Sequence, residues 1–230
     1  MTNVNWERWA RATGIGFVVM FIAAFIVYGN PPKVNDSAQQ IASFFDGHRG
    51  RVLTGDILFG VAFILLLVFI AAIASTLRES GRGGWGAVTI AAGATFIALQ
   101  AVTGAIAGGL ALNIAHAGDA GVISALNTLL TTGDVVSGYP LAAFILAASI
   151  GLSRARIVPA WYGSLGFLAG LIALLHGTNW ATSGFWSGTG GWIFVTIVAT
   201  LAWTLVTSGL LYMKTAAAPM PERAAATPAP

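Results

Sequence analysis

The residues able to do chemistry in this chain are few. Three histidines, His48, His116 and His176, accompany eight acidic residues among 230, and there is no cysteine. Histidine nitrogens and carboxylate oxygens bind zinc, and a site with one open position activates water, as in a metal-dependent hydrolase. His48, His116 and His176 are thus an alternative metal set, with zinc as the cofactor, although nothing resembling HExxH is present and the three come from separate segments. Axial haem ligation by His176 lacks a second membrane histidine at matching depth. The plainer expectation is no cofactor, with His176 bonded to a carbonyl or hydroxyl inside the packing. The absence of cysteine removes disulfides, thiolate metal sites, cysteine nucleophiles and Fe–S clusters. There is no Walker loop, GxSxG elbow or dinucleotide fingerprint either.

A second constellation is polar rather than ligating: Asp56, Gln100, Asp134, Tyr139 and His176, all within or beside apolar runs. Ionisable groups in a membrane segment are costly, face the interior or a water-filled cavity, and mark function. Each aspartate has a simpler explanation as well. Gly55-Asp56 and Gly133-Asp134 each precede an apolar run, where a carboxylate caps a helix and favours its positive end. A salt bridge to Arg49 or Arg51 is another reading.

The elements that must position these residues follow from composition. The chain is 57% hydrophobic and 8% charged, against roughly 25% charged in an average soluble domain. It reads as a polytopic all-α membrane protein, a six-helix bundle with spans at about 13–29, 57–77, 85–112, 134–153, 161–177 and 192–213, whose first partner is the lipid bilayer. The net charge of +3 rests on 11 Lys and Arg placed at segment ends, which are orientation signals rather than a nucleic-acid face. No small-x-small cleavage pattern follows the first span, so it reads as uncleaved. Asp36, with Gln39, starts a short outer amphipathic helix whose Ile41, Phe44 and Phe45 would lie on the membrane surface. From Asp119 to Ser153 one helix would measure roughly 52 Å, so a bent or re-entrant segment is expected before the fourth span, with Gly133, Gly138 and Pro140 as the breaks. Gly104 with Gly108 and Gly166 with Gly170 form GxxxG pairs, and Thr196, Thr200, Thr204 and Ser208 form a hydroxyl stripe, both read as helix packing. The tail over 214–230, rich in proline and alanine, reads as disordered and cytoplasmic.

With the amino terminus inside, eight basic residues fall on the cytoplasmic side and Lys33, Arg49 and Arg51 outside, a positive-inside pattern for a multi-pass cell-membrane protein with both termini cytoplasmic. Counting residues up each helix at about 1.5 Å apiece places Asp56 and Asp134 at the outer boundary and Gln100, Tyr139 and His176 roughly 22 Å up. The expected site is therefore an outward-facing pocket floored by Gln100, Tyr139 and His176 and rimmed by Asp56 and Asp134. It would bind a small or lipidic ligand, or a partner protein. An intramembrane hydrolase is the alternative, and the sequence leaves open whether the chain is an enzyme. An inverted repeat, the usual transporter sign, is not evident.

Four stretches, ATGIGFVVMFIAAF, HRGRVLTGDILFG, TTGDVVSGYPLAAFILAASIGL and RIVPAWYGSLGFLAGLIALL, resemble a six-helix family of bacterial, actinobacterial-type integral membrane proteins, the DUF4386-like group. The resemblance covers most of residues 8–176 and leaves the glycine-rich loop 178–190 without a counterpart. It implies six helices and carries no activity.

Overall fold

Apolar runs too long to leave a lipid-facing backbone unpaired are satisfied here by helix alone. The computed structural model describes residues 3–217, and they form helices α1 (Asn3–Tyr28), α2 (Ala38–Gly47), α3 (Arg49–Glu79), α4 (Gly83–Gly109), α5 (Ala115–Ala117), α6 (Ala120–Arg154), α7 (Tyr162–His176) and α8 (Gly191–Ala217). A π-helical turn, Leu110–Ile114, joins α4 to α5 without a break. No strand is found among the described residues, only an isolated bridge between Ala181 and Ser187. Five helical stretches are long and apolar enough to cross a membrane: Trp6–Tyr28, Arg49–Glu79, Gly83–Ala117, Ala120–Arg154 and Gly191–Lys214. The apolar α7 has 15 residues and is shorter than the roughly 20 that a hydrocarbon core requires.

Around the bundle, α1 packs on α3, α3 on α4, α4 on α6, α6 on α7, α7 on α8, and α8 back on α1, closing a ring of six helices. Both ends of the described chain lie at one end of the ring, here the terminal end, with α2 and the 177–190 loop at the opposite, loop end. The terminal half is filled. Phe17, Phe69, Phe144, Tyr162 and Trp203 are among the core residues there, and the two large polar rings are satisfied internally. Trp203 Nε1 donates to Ser149 Oγ at 2.9 Å, and the Tyr162 and Thr207 hydroxyls share a 2.7 Å hydrogen bond. A second apolar cluster caps the loop end, built from Tyr28, Ile41, Phe45, Val52, Leu110 and Ile123 among others.

Several expectations need correcting. The start of α2 lies one residue later than Asp36: Ser37 is the N-cap, its Oγ accepts from Gln40 N, and Gln40 Oε1 accepts from Ser37 N at 2.9 Å. Asp36 instead accepts from Lys33 N in the preceding turn. The apolar face of α2 docks on the bundle, with Ile41 and Phe45 each 1% exposed, because Ala107, Ala111 and Ala115 are small enough to receive them. No break or re-entrant turn precedes the fourth span: α6 is one helix of 35 residues that runs through Gly133, Gly138 and Pro140. Its first turns are covered by α2 and the turn before it, where Asn127 Nδ2 donates to the Lys33 carbonyl at 3.2 Å. Protein contact there replaces the lipid or water that would have favoured a break. α6 is also the most enclosed span, with 67% of its most apolar window buried against 28–33% in the other four.

The hydroxyl stripe and one GxxxG pair do pack. Ser208 Oγ donates to the Arg11 carbonyl on α1 and Thr196 bonds the carbonyl a turn back, whereas the Thr200 and Thr204 hydroxyls are buried without a hydrogen-bond partner among the described residues. A Cβ on Gly170 would lie 2.5 Å from Leu146 Cδ2 on α6. The Gly104 pair packs only in part: a Cβ on Gly104 would meet nothing within 4 Å, and one on Gly108 would be in ordinary contact with Asp56 Oδ2 of α3, at 3.4 Å. Close approach of α4 to α3 comes from Gly86 and Gly93 instead, against Ala74 and Ile70. The expected tail begins as helix, since α8 runs to Ala217, and the remainder lies outside the described residues.

Candidate functional site

Between the filled half of the ring and the cluster at its loop end lies a cavity of about 630 Å³. Helical periodicity determines what lines it. On α3, Asp56, Gly60, Phe63 and Leu67 recur at the three- and four-residue steps of one face and point into the space, with Phe59 beside them. On α4, Gln100, Gly104 and Thr103 do the same, and α6 contributes Leu130, Thr131 and Asp134. Phe21, Phe25 and Tyr28 close the α1 side, Ile193 and Ile197 the α8 side, and Gly188 and Thr189 the loop end. The lining is mostly apolar with a few polar groups, the usual make-up of a small-molecule site.

The polar groups form two places on the wall. At the first, Gln100 Nε2 lies 3.3 Å from both Asp134 Oδ1 and Ser137 Oγ, and Thr103 Oγ1 donates to the Gln100 backbone carbonyl at 2.9 Å and reaches Gln100 Oε1 at 3.1 Å. Behind this wall, His176 Nε2 stands 3.3 Å from Asp134 Oδ2. That is within range of a charge contact, yet off the line of a hydrogen bond, so Oδ2 is shielded without a hydrogen-bond partner. Asn179 Nδ2 contacts His176 Nδ1 at 3.3 Å. With the amide donating, the ring proton sits on Nε2, facing the carboxylate. The chain Gln100, Asp134, His176, Asn179 thus runs from the cavity wall to the loop after α7.

The second place is Asp56 alone. Its Oδ2 is buried without a hydrogen-bond partner among the described residues, next to Gly108 of α4. Gly108 and Gln100 are eight residues apart on α4, so the two carboxylates meet α4 at points about 12 Å apart along its axis. The simpler readings of both aspartates fail. Asp56 and Asp134 lie inside α3 and α6, not ahead of them, and the residue that caps α6 is Asp119, whose Oδ1 accepts from Gly121 N at 2.6 Å. Neither Arg49 nor Arg51 forms an ion pair with either aspartate among the described residues, and Arg51 Nε donates to the Val27 carbonyl at the end of α1.

No protein-family model, curated protein or solved structure matches the chain. Its site is therefore read from its own geometry.

Of the five residues expected to form the pocket, Asp56, Gln100 and Asp134 line the cavity and two do not. His176 is buried behind Asp134. Tyr139 is 43% exposed and packs against Gly177, where a Cβ would lie 2.7 Å from the Tyr139 ring. Five residues at 100° each place it about 140° from Asp134 around α6, so the two cannot face the same space. The alternative zinc set is not assembled. His48 Nδ1 is 3.0 Å from the Phe44 carbonyl, His116 pairs with Asp46 at 3.6 Å on the surface, and His176 is inside the bundle. No group of three or more His, Asp or Glu able to hold a metal ion occurs among the described residues. Of the aromatic lining, the phenylalanines Phe21, Phe25, Phe59 and Phe63 were missed. Phe59 and Phe63, three and seven residues after Asp56, carried the signal, because that spacing puts them on the face of the aspartate.

Proposed function

We propose that this chain is a six-span protein of the cell membrane, with both termini cytoplasmic, that binds a small or lipidic ligand in its cavity. Support for the sixth span comes from α7, which stands between α6 and α8 as one member of the ring. Support for the orientation comes from the terminal end, which carries Arg8, Arg78, Arg82, Arg154 and Lys214, against Lys33, Arg49 and Arg51 at the loop end. In that orientation the cavity lies in the outer half. Membership of the DUF4386-like group is part of the same proposal, resting on the four stretches that resemble it.

The observation that carries the ligand reading is the cavity itself. Its volume of about 630 Å³ falls within the roughly 300–1,000 Å³ of ligand pockets, and its lining is apolar except for Asp56, Gln100, Thr103, Thr131, Asp134, Thr189 and the Tyr28 hydroxyl. A pocket of that make-up suits a molecule with a long apolar part and a small polar part. The test is mass spectrometry of protein purified from its membrane in a mild detergent. The expected result is one amphiphile at near-equimolar amount, lost from Gly104→Trp, whose indole would fill the cavity. A wild-type protein carrying nothing, or a variant carrying the same amphiphile, would reject the reading.

A further inference from the structure

We infer that the polar part of the ligand is a cation, a protonated amine or quaternary ammonium, seated against Asp56. This rests on reading the cavity as a ligand site and names the chemical class that it takes. The lining contains two carboxylates and no Lys, Arg or His side chain. Asp134 already has Gln100 on one oxygen and His176 beside the other. Asp56 has no such compensation, and its Oδ2 is shielded with no hydrogen-bond partner. A carboxylate away from water is costly until an opposite charge joins it.

The surroundings of Asp56 favour an organic cation. Phe59 meets Phe21 edge-on at 5.2 Å between centroids, Tyr28 at 6.2 Å and Phe63 in a stack at 6.3 Å. All four rings line the cavity. Aromatic faces attract a weakly hydrated ammonium and offer nothing to an anion. Grouped aromatics beside a carboxylate therefore select for positive charge twice, once by the full charge and once by the ring quadrupoles.

The apolar body has a way out sideways. Gly60 on α3 and Gly104 on α4 both border the cavity, and a Cβ at either would meet nothing within 4 Å. Ile64 lines the cavity yet is 64% exposed, so the space reaches the outer surface of the bundle between these helices. Nearer the terminal end the same two helices close tightly at Gly86 and Gly93. The gap lies on the lipid-facing side, and an alkyl chain can lie in it with the head at Asp56.

The test uses the full chain in lipid nanodiscs, with empty nanodiscs as the blank. Three probes of equal chain length are titrated: dodecyltrimethylammonium, dodecanoate and dodecanol. The ammonium is expected to bind saturably and at least tenfold more tightly than the other two. Asp56→Asn, which keeps shape and removes charge, is expected to weaken it roughly ten- to hundredfold, as for loss of one bond to a charged group, while leaving dodecanol unchanged. Gly104→Leu is expected to weaken all three. If dodecanol or dodecanoate binds as tightly as the ammonium, or Asp56→Asn leaves the ammonium unaffected, the cationic head is wrong. The cavity reading survives that result provided Gly104→Leu still weakens binding. If no probe saturates, or Gly104→Leu changes nothing, the cavity reading falls too. The head-group comparison needs no variant, so a misfolded mutant does not remove the test.

Discussion

At Gly138, α6 comes directly against backbone at the end of α7, and replacing it with alanine gives a sharp test of the architecture. A Cβ there would stand 2.6 Å from Gly177 N, 2.8 Å from the Ala173 carbonyl oxygen and 3.2 Å from Gly177 Cα. All three atoms are backbone, so no side chain can rotate away and the helices must part by several tenths of an ångström. Overpacking of this kind costs about 1–3 kcal/mol. For a chain of this size each kcal/mol moves the midpoint by about 2–4 °C, so Gly138→Ala should lower Tm by roughly 2–12 °C. The assay is thermal unfolding of purified protein in a sugar detergent, with Gly104→Ala as the control, since a Cβ at Gly104 would meet nothing within 4 Å. A Gly138→Ala variant melting with the wild type would refute the α6–α7 contact, as would an equal loss in the control.

Three further outcomes follow from the packing and the proposed orientation. Ser149→Ala strands the Trp203 indole N–H and should cost about 1–3 kcal/mol, while adding Trp203→Phe should cost less than the sum of the two single losses; strict additivity in the double-mutant cycle would contradict the 2.9 Å bond. Ser37→Ala removes the capping box of α2 and should cost about 0.5–2 kcal/mol locally, read as faster hydrogen exchange at the first amides of that helix, whereas unchanged exchange would dismiss the cap. Because the chain has no cysteine, a lone thiol at Ser183→Cys should react with an impermeant maleimide on intact cells and one at Ser80→Cys should not. The reverse pattern would invert the orientation.

The apolar segments were legible because helix is the only economical way to satisfy the backbone of such runs. Their limits were not. Hydropathy marks where lipid-compatible residues begin, whereas α3 starts at Arg49 and α6 at Ala120, several residues before Asp56 and Asp134. Placing the helix starts at those aspartates made them look like caps. Counting residues gave height and said nothing of direction around the axis, so Gln100 was placed usefully and Tyr139 was not. Angular bookkeeping over 134–139 would have separated Tyr139 from Asp134, and over 56–63 would have grouped Phe59 and Phe63 with Asp56. The docking of α2 had no local signal: the alternation that buries Ile41 and Phe45 is the same for a helix on lipid as for one on protein. What decides between them is the run of small residues on α4 and beyond, far away in sequence.

α7 has 15 residues, about 22 Å of helix, beside α6 with about 52 Å. In a bilayer of roughly 30 Å hydrocarbon thickness those neighbours cannot both be matched. With α7 crossing as proposed, the acyl chains against it would have to shorten, or the residues above it would supply the missing height. Trp180 and Phe185, more than half exposed in the loop that follows α7, are amphipathic and apolar rings suited to that task. The protein would then sit in an annulus of uneven depth, thin on the α7 flank and thicker on the α3 flank. Such a shape sorts its neighbouring lipids by chain length, with the shortest gathered on the side opposite the gap between α3 and α4.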